Sequence, residues 1–351
     1  MTVAGLLRLV GEQTQVNRND ALIVTSKFSA QIGPSCSGLE GIGLIIAFLT
    51  LYLWWFRRRF RFPQALVIFP VAAGLMWVLN AVRIAVLILF GGWNPKIGIA
   101  GFHSVAGWIL FNVTALGLAS ACWRIRFFCK EADDPRIPYA ANPAGMYLVP
   151  LIAIIGTAMV LAPFSAGFEL LYPIRVLVAL GAFWYYRRQI AGMSWKPSPW
   201  AIVPGALVFV FWIALSAPPA NASTVAAFGI GLAKLPAPGA AAWLCFRVLG
   251  AVVTVPIAEE LAFRGYMLRK LIAADFTAIP ASQFTWLSFI GSSVLFGVLH
   301  NQWLAGTIAG MIFAVVLYRR GVLADAVLAH STANALLSVY VLATGRWFLW
   351  S

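Results

Sequence analysis

Two adjacent glutamates stand beside a long apolar run in the stretch VPIAEELAFRGYMLRK, residues 255–270. Only 11 of the 351 residues are acidic, so a pair at this position calls for an explanation. On a helix, Glu260 and Arg264 are spaced i, i+4 and can form an ion pair. Glu259 points about one hundred degrees away from Glu260. Neutralising Arg264 therefore accounts for one glutamate and leaves the other available for chemistry.

The three histidines of the chain are His103, His300 and His330. His300 ends the stretch FGVLH. His330 opens HSTAN, which places Asn334 one helical turn later on the same face. A single histidine on an apolar face is more often a packed core residue. Finding Glu259 and two such histidines on three apolar segments indicates a site instead.

These groups suit peptide hydrolysis. A buried carboxylate and an imidazole can jointly hold and deprotonate a water molecule. A second histidine and an asparagine amide can donate hydrogen bonds to the developing oxyanion. The same histidine and glutamate side chains could alternatively bind zinc. We rank the zinc alternative second, because the sequence contains no HExxH motif.

The stretches EELAFR, FGVLH and HSTAN resemble the EExxxR, FxxxH and HxxxN motifs of the CAAX-protease and bacteriocin-processing (CPBP) family of intramembrane glutamic endopeptidases. The resemblance implies that Glu259 and His300 activate water. It also implies that His330 and Asn334 form the oxyanion site. Two further residues would shape the site, Glu260 and Arg264.

A second set of reactive residues lies in the first third of the chain. Cys36 stands in GPSCSGLEGIGL, Arg83 in LNAVRIAVLILF and His103 in GIAGFHSVAG. A cationic neighbour lowers the pKa of a thiol and a histidine can exchange its proton, so the trio suits a nucleophile, a base and an oxyanion stabiliser. Taken singly, a small buried thiol and a snorkelling arginine are the alternatives.

The segments CSG, NAVRI and GFH around these residues resemble the three signatures of the exosortase and archaeosortase family. Its members are membrane cysteine transpeptidases that process proteins with a C-terminal sorting signal. The resemblance implies that Cys36 is the nucleophile, His103 the general acid/base and Arg83 the transition-state stabiliser. An exosortase followed by a CPBP-type domain resembles the exosortase E/protease type. That resemblance implies membrane-anchored protein substrates with a VPEID-CTERM-like signal, in the inner membrane of Gram-negative bacteria.

Composition indicates an all-α chain embedded in a lipid bilayer. Hydrophobic residues make up 62% of it and charged residues 10%, whereas soluble domains carry about 25% charged residues. We predict a polytopic membrane protein with about ten transmembrane helices, each near the length of about 20 residues that crosses a bilayer. The predicted segments lie near 39–56, 65–90, 104–123, 146–163, 171–186, 200–216, 241–262, 284–301, 303–318 and 322–343.

The net charge of +14 does not indicate nucleic-acid binding, because 16 of the 25 Lys and Arg residues cluster at the ends of apolar segments. Such clusters are typical of cytoplasmic membrane flanks. With these clusters in the cytoplasm, Cys36, Arg83 and His103 converge on the opposite face. Glu259 then lies within the membrane if its helix, which Pro256 could kink, runs on to about Lys270.

A polar stretch with three prolines predicts a cytoplasmic linker at 131–145. It separates a short exosortase-like region, residues 1–130, from a CPBP-type protease domain, residues 146–351. The leading hypothesis is a membrane processing enzyme with two sites.

Three alternatives stay open. The chain could be a CPBP-type protease with an inactive front region, or a non-catalytic assembly or immunity factor. A transporter would also keep ionisable groups in the membrane, but it would tend to show inverted repeats, and we find none in the sequence.

Overall fold

The computed structural model describes residues 2–17, 22–26, 28–31, 38–93, 102–130, 142–162, 165, 168–216 and 222–350. The chain divides into two compact units, Met1–Pro138 with Ala162–Phe164, and Tyr139–Leu161 with Ser165–Ser351. Residues 131–141 of the predicted linker lie outside the described part, and the predicted domain boundaries stay predictions.

The first unit opens with features that the all-α prediction did not include. Helix α1 (Thr2–Leu9) is followed by an antiparallel sheet in the order β1 (Thr14–Asn17), β2 (Leu22–Thr25), β3 (Ser29–Gln31). Strands of three or four residues are too short to show a clear alternating pattern, so the sequence analysis missed them. Leu7 and Ile23 bury their side chains in a small core that also contains Ile84 and Ile88 of α3.

Where it is described, the rest of the first unit contains three apolar helices: α2 (Leu39–Trp55), α3 (Ile68–Trp93) and α4 (Phe102–Arg124). Ile45 and Leu49 of α2 pack against Ala72 of α3 and Ala115 of α4 in one core. The Tyr52 hydroxyl donates to the carbonyl oxygen of Ala119 at 3.2 Å, which ties α2 to α4.

The second unit consists of helices around a second core. They are α5 (Gly145–Leu161), α6 (Tyr172–Tyr185), α7 (Arg187–Ala191), α8 (Ile202–Leu215), α9 (Ala222–Ala233), α10 (Ala237–Leu249), α11 (Val255–Glu260), α12 (Leu268–Lys270), α13 (Trp286–Val298), α14 (Trp303–Arg320) and α15 (Leu323–Thr344). A 3₁₀ helix, Trp347–Trp350, ends the described chain.

Two π-helical segments, Gly250–Thr254 and Leu261–Met267, join α10, α11 and α12 into one helix, Ala237–Lys270, of 34 residues. We call it the long helix. The prediction that this helix runs on to about Lys270 is confirmed. Pro256 is the second residue of α11, two positions after the first π segment ends at Thr254. Its missing N–H would have bonded to a carbonyl group of that segment, where the regular helical ladder is already interrupted.

Each predicted membrane segment coincides with an apolar helix. Four helices are long and apolar enough to cross a membrane: Gln64–Gly92, Ala237–Lys270, Trp303–Arg320 and Leu323–Thr344. The other apolar helices in the described residues are shorter, with 10–17 residues each, where α4 is counted over Ile109–Arg124. Ten membrane crossings therefore stay a prediction.

Helices α13 and α14 approach each other closely because glycines line their contact. A Cβ on Gly297 would lie 2.5 Å from the carbonyl oxygen of Trp303, and one on Gly310 would lie 3.1 Å from that of Ser293. Contacts this short with backbone cannot be relieved by moving a side chain. The glycines therefore set the distance between the two helices.

We predict that Gly297→Ala lowers the free energy of unfolding by about 1–3 kcal/mol, because the added methyl group overpacks the α13–α14 contact. Gly156→Ala is the matched control, since a Cβ at Gly156 meets nothing within 4 Å. Thermal unfolding in detergent micelles measures both variants. Equal stability of the two would contradict the close contact.

Candidate active sites

The long helix places two buried glutamates between its π segments. Glu259 is 8% exposed and Glu260 is 0% exposed, and both belong to α11. A π segment adds a residue to a helical turn and turns the following side chains relative to the preceding ones, and such segments are frequent at functional sites. Flanking α11 with two of them fixes where both carboxylates point.

Glu260 holds two other functional side chains at once. Its Oε2 lies 3.1 Å from Nε of Arg264, the i, i+4 ion pair expected from the sequence. Its Oε1 lies 2.9 Å from Nδ1 of His330, a contact that the sequence did not predict. Arg264 in turn donates from Nη2 to the carbonyl oxygen of Gly310 at 2.8 Å and lies over the ring of Phe296.

Glu259 faces both imidazoles without touching either. Its Oε2 lies 4.0 Å from Nε2 of His300 and 3.9 Å from Nε2 of His330. These distances are too long for hydrogen bonds and fit one bridging water between polar atoms. Within the described residues, this buried oxygen has no hydrogen-bond partner.

The partners of the two Nδ1 atoms determine which ring nitrogen faces Glu259. Nδ1 of His300 lies 2.8 Å from the carbonyl oxygen of Phe296. A carbonyl only accepts, so this Nδ1 carries the proton and Nε2 of the neutral ring is an acceptor. Nδ1 of His330 likewise donates to the Glu260 carboxylate. Each ring therefore presents Nε2 to the carboxylate of Glu259.

Asn334 lies one turn after His330 on α15 and donates from Nδ2 to the carbonyl oxygen of Ala251 at 2.8 Å. Ala251 belongs to the first π segment, where carbonyl groups are released from the regular helical ladder. The amide has a second N–H. His300, His330 and Asn334 all line one cavity of about 180 Å³.

The cavity wall includes two residues that the sequence analysis did not select, Trp212 and Arg247. Trp212 packs edge-on against His300, with ring centroids 5.6 Å apart. Arg247 is a lone cation within the predicted membrane segment 241–262, and that isolation is the signal that could have identified it.

Glu259, His300 and His330 are the side chains that could hold a metal ion. Tetrahedral zinc with ligands at about 2.0–2.1 Å would hold two donor atoms about 3.3 Å apart. The observed distances of 3.9 and 4.0 Å from the Glu259 oxygen are longer. Among the residues described, no group of three His, Cys, Asp or Glu side chains is close enough to share one ion.

The first unit shows part of the second predicted site. Cys36 lies outside the described residues, and His103 belongs to α4 but its side chain is not described. Their neighbours can be placed. A Cβ on Gly38 would lie 2.7 Å from Nδ2 of Asn80, and one on Gly107 would lie 2.7 Å from Nη1 of Arg83.

These contacts connect the three motifs. Gly38 belongs to the CSG segment, while Asn80 and Arg83 are neighbours on one face of α3. Gly107 lies one turn after His103 on α4. The described residues Gly38 and Gly107 thus bring the N-terminal ends of α2 and α4 close to Asn80 and Arg83 of α3.

Two family models match separate parts of the chain. Residues 1–120 match the transmembrane exosortase model, and residues 241–336 match the model described as type II CAAX prenyl endopeptidase Rce1-like. No curated protein and no solved structure matches. The matched ranges contain all the predicted catalytic residues: Cys36, Arg83, His103, Glu259, His300, His330 and Asn334.

These families are membrane peptidases and transpeptidases, which supports a protein-processing role. The two matches, an exosortase-type model in front of a Rce1-like CAAX protease model, agree with the fusion that the motifs predicted. The exosortase match further implies membrane-associated protein substrates with sorting signals.

The two glutamates should differ in their effect on stability. We predict that Glu260→Gln lowers the free energy of unfolding by about 3–5 kcal/mol, because it leaves the buried Arg264 without its counter-charge. Glu259→Gln should change it by less than about 1 kcal/mol, since no hydrogen bond of Oε2 is lost.

Chemical denaturation of the full chain in micelles measures this difference, and each variant is the control for the other. Equal losses of unfolding free energy in the two variants would contradict a structural role for Glu260 that Glu259 does not share.

Proposed function

We propose that the second unit hydrolyses peptide bonds at the cavity, with Glu259 and His300 activating the water. The observation that carries the proposal is the buried Glu259 oxygen, which faces Nε2 of His300 and of His330 at water-bridging distance. A buried carboxylate without a hydrogen bond is costly. Its retention is explained if the missing partner is the reacting water.

The different partners of the two imidazoles support different roles. His300 is held by a neutral carbonyl group and offers a lone pair at Nε2, as a water-orienting acceptor needs. His330 is held by the carboxylate of Glu260. Its Nδ1 donates to that carboxylate, and a second proton on Nε2 would let the same ring donate to an oxyanion. We therefore assign His330 and the second N–H of Asn334 to oxyanion stabilisation.

The proposed reaction balances without an added cofactor. Glu259 takes a proton from water as the water oxygen bonds to the carbonyl carbon of the scissile peptide. The resulting oxyanion accepts hydrogen bonds from His330 and Asn334. Its collapse breaks the C–N bond, and the leaving amine takes the proton from Glu259. Zinc held by Glu259, His300 and His330 is the second-ranked variant, since the donor spacing suits water better.

For the first unit we propose a cysteine transpeptidase that acts on C-terminal sorting signals. The Cys36 thiolate would attack the carbonyl carbon of the signal, with Arg83 stabilising the oxyanion. The C–N bond then breaks, the leaving amine takes a proton from His103, and a thioester remains for an acceptor nucleophile. The contacts of Asn80 with Gly38 and of Arg83 with Gly107 support this convergence. We propose a VPEID-CTERM-like signal and a bacterial inner-membrane location.

We predict two separable activities on a co-expressed membrane reporter that ends in a Val-Pro-Glu-Ile-Asp motif, a membrane helix and a basic tail. Mass spectrometry of the C-termini of reporter and membrane proteins gives the readout. Cys36→Ala should abolish the new reporter terminus. Glu259→Gln should reduce a distinct set of cleavages about 100-fold or more, because removing a general base costs at least that.

Cys245→Ala and Glu169→Gln are the matched controls, since Cys245 is an exposed free cysteine and Glu169 is an exposed partner of Arg175 that does not itself line the cavity. Both controls should process like the parent chain. If Glu259→Gln loses its set of cleavages while Cys36→Ala changes nothing, the chain is a protease whose first unit is inactive. Unchanged processing in both catalytic variants would contradict an enzymatic role and favour an assembly or immunity factor.

A further inference from the structure

Arg247 is a membrane-helix cation whose charge the described protein does not balance. It lies in α10, within the apolar long helix, and lines the cavity together with His300, His330 and Asn334. In the part of the chain that the structure describes, no carboxylate lies within ion-pair distance of it. Arg264, on the same helix, shows the contrast, since Glu260 neutralises it. An uncompensated cation at membrane depth is costly and usually functional.

Aromatic rings pack against the planar guanidinium group of Arg247 and leave some of its N–H donors available. Its Cζ lies 4.5 Å from the ring centre of Tyr172 and 5.4 Å from that of Trp350, so aromatic rings pack against the plane. Nη2 donates to the carbonyl oxygen of Trp350. An arginine has five N–H donors, and this is its one hydrogen bond to a described residue.

Trp350 adds a second unused donor at the same place. It lines the cavity and is 8% exposed, and its Nε1–H is buried without a hydrogen-bond partner among the described residues. A planar cation beside an unpaired N–H forms a donor set that suits a carboxylate, which can accept from both nitrogens of an arginine edge.

We propose that Arg247, assisted by the indole N–H of Trp350, binds a carboxylate of the peptide that enters the cavity and so determines substrate specificity. The inference rests on the proposed function, since it names what the hydrolytic site recognises. The carboxylate can come from an Asp or Glu side chain or from the C-terminus of the peptide. A purely structural arginine would hold the Trp350 carbonyl group and would show no charge preference among peptides.

The helix also sets the distance between the bound carboxylate and the scissile bond. Twelve residues separate Arg247 from Glu259 along the long helix, which corresponds to at most about 18 Å at about 1.5 Å per residue. An extended peptide covers that distance in about five residues at about 3.3 Å each. The acidic group should therefore lie within about five residues of the cleaved bond.

Binding to the full chain carrying Glu259→Gln tests the inference without requiring cleavage. The probes are three twelve-residue Leu/Ala peptides with a neutral fluorescent label: one with a single Glu and an amidated end, one with Gln in its place, and one with Gln and a free carboxylate. Fluorescence anisotropy in nanodiscs gives their affinities. We expect a carboxylate-bearing peptide to bind about tenfold more tightly than the neutral one.

Further variants test whether Arg247 causes the preference for carboxylate-bearing peptides. Adding Arg247→Gln should bring the affinity ratio to about one, Arg247→Lys should keep part of the preference, and Arg346→Gln, at an exposed arginine beside the same 3₁₀ helix, should keep all of it. Tighter binding of the Glu peptide assigns the site to a side chain, and tighter binding of the free-carboxylate peptide assigns it to a chain end. Equal affinities of all three peptides for the Glu259→Gln chain, or a preference that survives Arg247→Gln, would overturn the inference.

Cleavage of the peptides by the parent chain measures the spacing between the acidic group and the cleaved bond. Moving the Glu by two residues along the peptide should move the cleaved bond in the same direction by the same amount. Absence of any cleavage would count against the proposed hydrolysis. The anisotropy measurements would still show whether Arg247 binds a carboxylate. Where the affinities assign the site to a side chain, a cleaved bond that stays fixed while the Glu moves would contradict recognition through Arg247. Where they assign it to a chain end, the cleaved bond should instead move with the free C-terminus when the peptide is lengthened by two residues, and a bond that stays fixed would contradict it.

Discussion

The buried carboxylate of Glu260 is the interaction on which the second site depends. It is fully buried and lies within 3.1 Å of a guanidinium nitrogen of Arg264 and 2.9 Å of Nδ1 of His330. A buried charge needs partners of opposite sign with good geometry. That requirement fixes the rotation of the long helix against α15, which carries His330. It also fixes the ring orientation of His330, so that Nε2 faces Glu259.

The surrounding structure serves this arrangement in two ways. The π segments on either side of α11 change the helical phase, and the first of them releases the Ala251 carbonyl group that holds Asn334. The glycine contact between α13 and α14 brings the Gly310 carbonyl oxygen to Arg264 and keeps His300 close to α14. The close packing of α13 on α14 and the polar contacts of the long helix thus position the same few site residues.

The sequence predicted what short-range spacing determines. The i, i+4 spacing predicted the ion pair between Arg264 and Glu260, and the motif spacing predicted that Asn334 lies one turn after His330. The contact of Glu260 with His330 joins residues 70 positions apart, so no local pattern could indicate it. The same holds for the Ala251 carbonyl group and for the aromatic rings around Arg247. The short strands β1 to β3 escaped detection because so few residues carry no clear period. Of the first site, the structure describes the contacts of Asn80 and Arg83 with Gly38 and Gly107, and the roles of Cys36, Arg83 and His103 stay predictions.

Whether Glu259 directs a water molecule at a peptide bond can be measured by mass spectrometry of cleavage products. The products are formed by the full chain in proteoliposomes, in water enriched in heavy oxygen. We predict that each new carboxyl terminus that depends on Glu259 contains one solvent oxygen, and that Cys36→Ala leaves this labelling intact. Glu259-dependent products without solvent oxygen would contradict it, because the acyl group would then have passed to another nucleophile. Equal labelling in Glu259→Gln would contradict it as well.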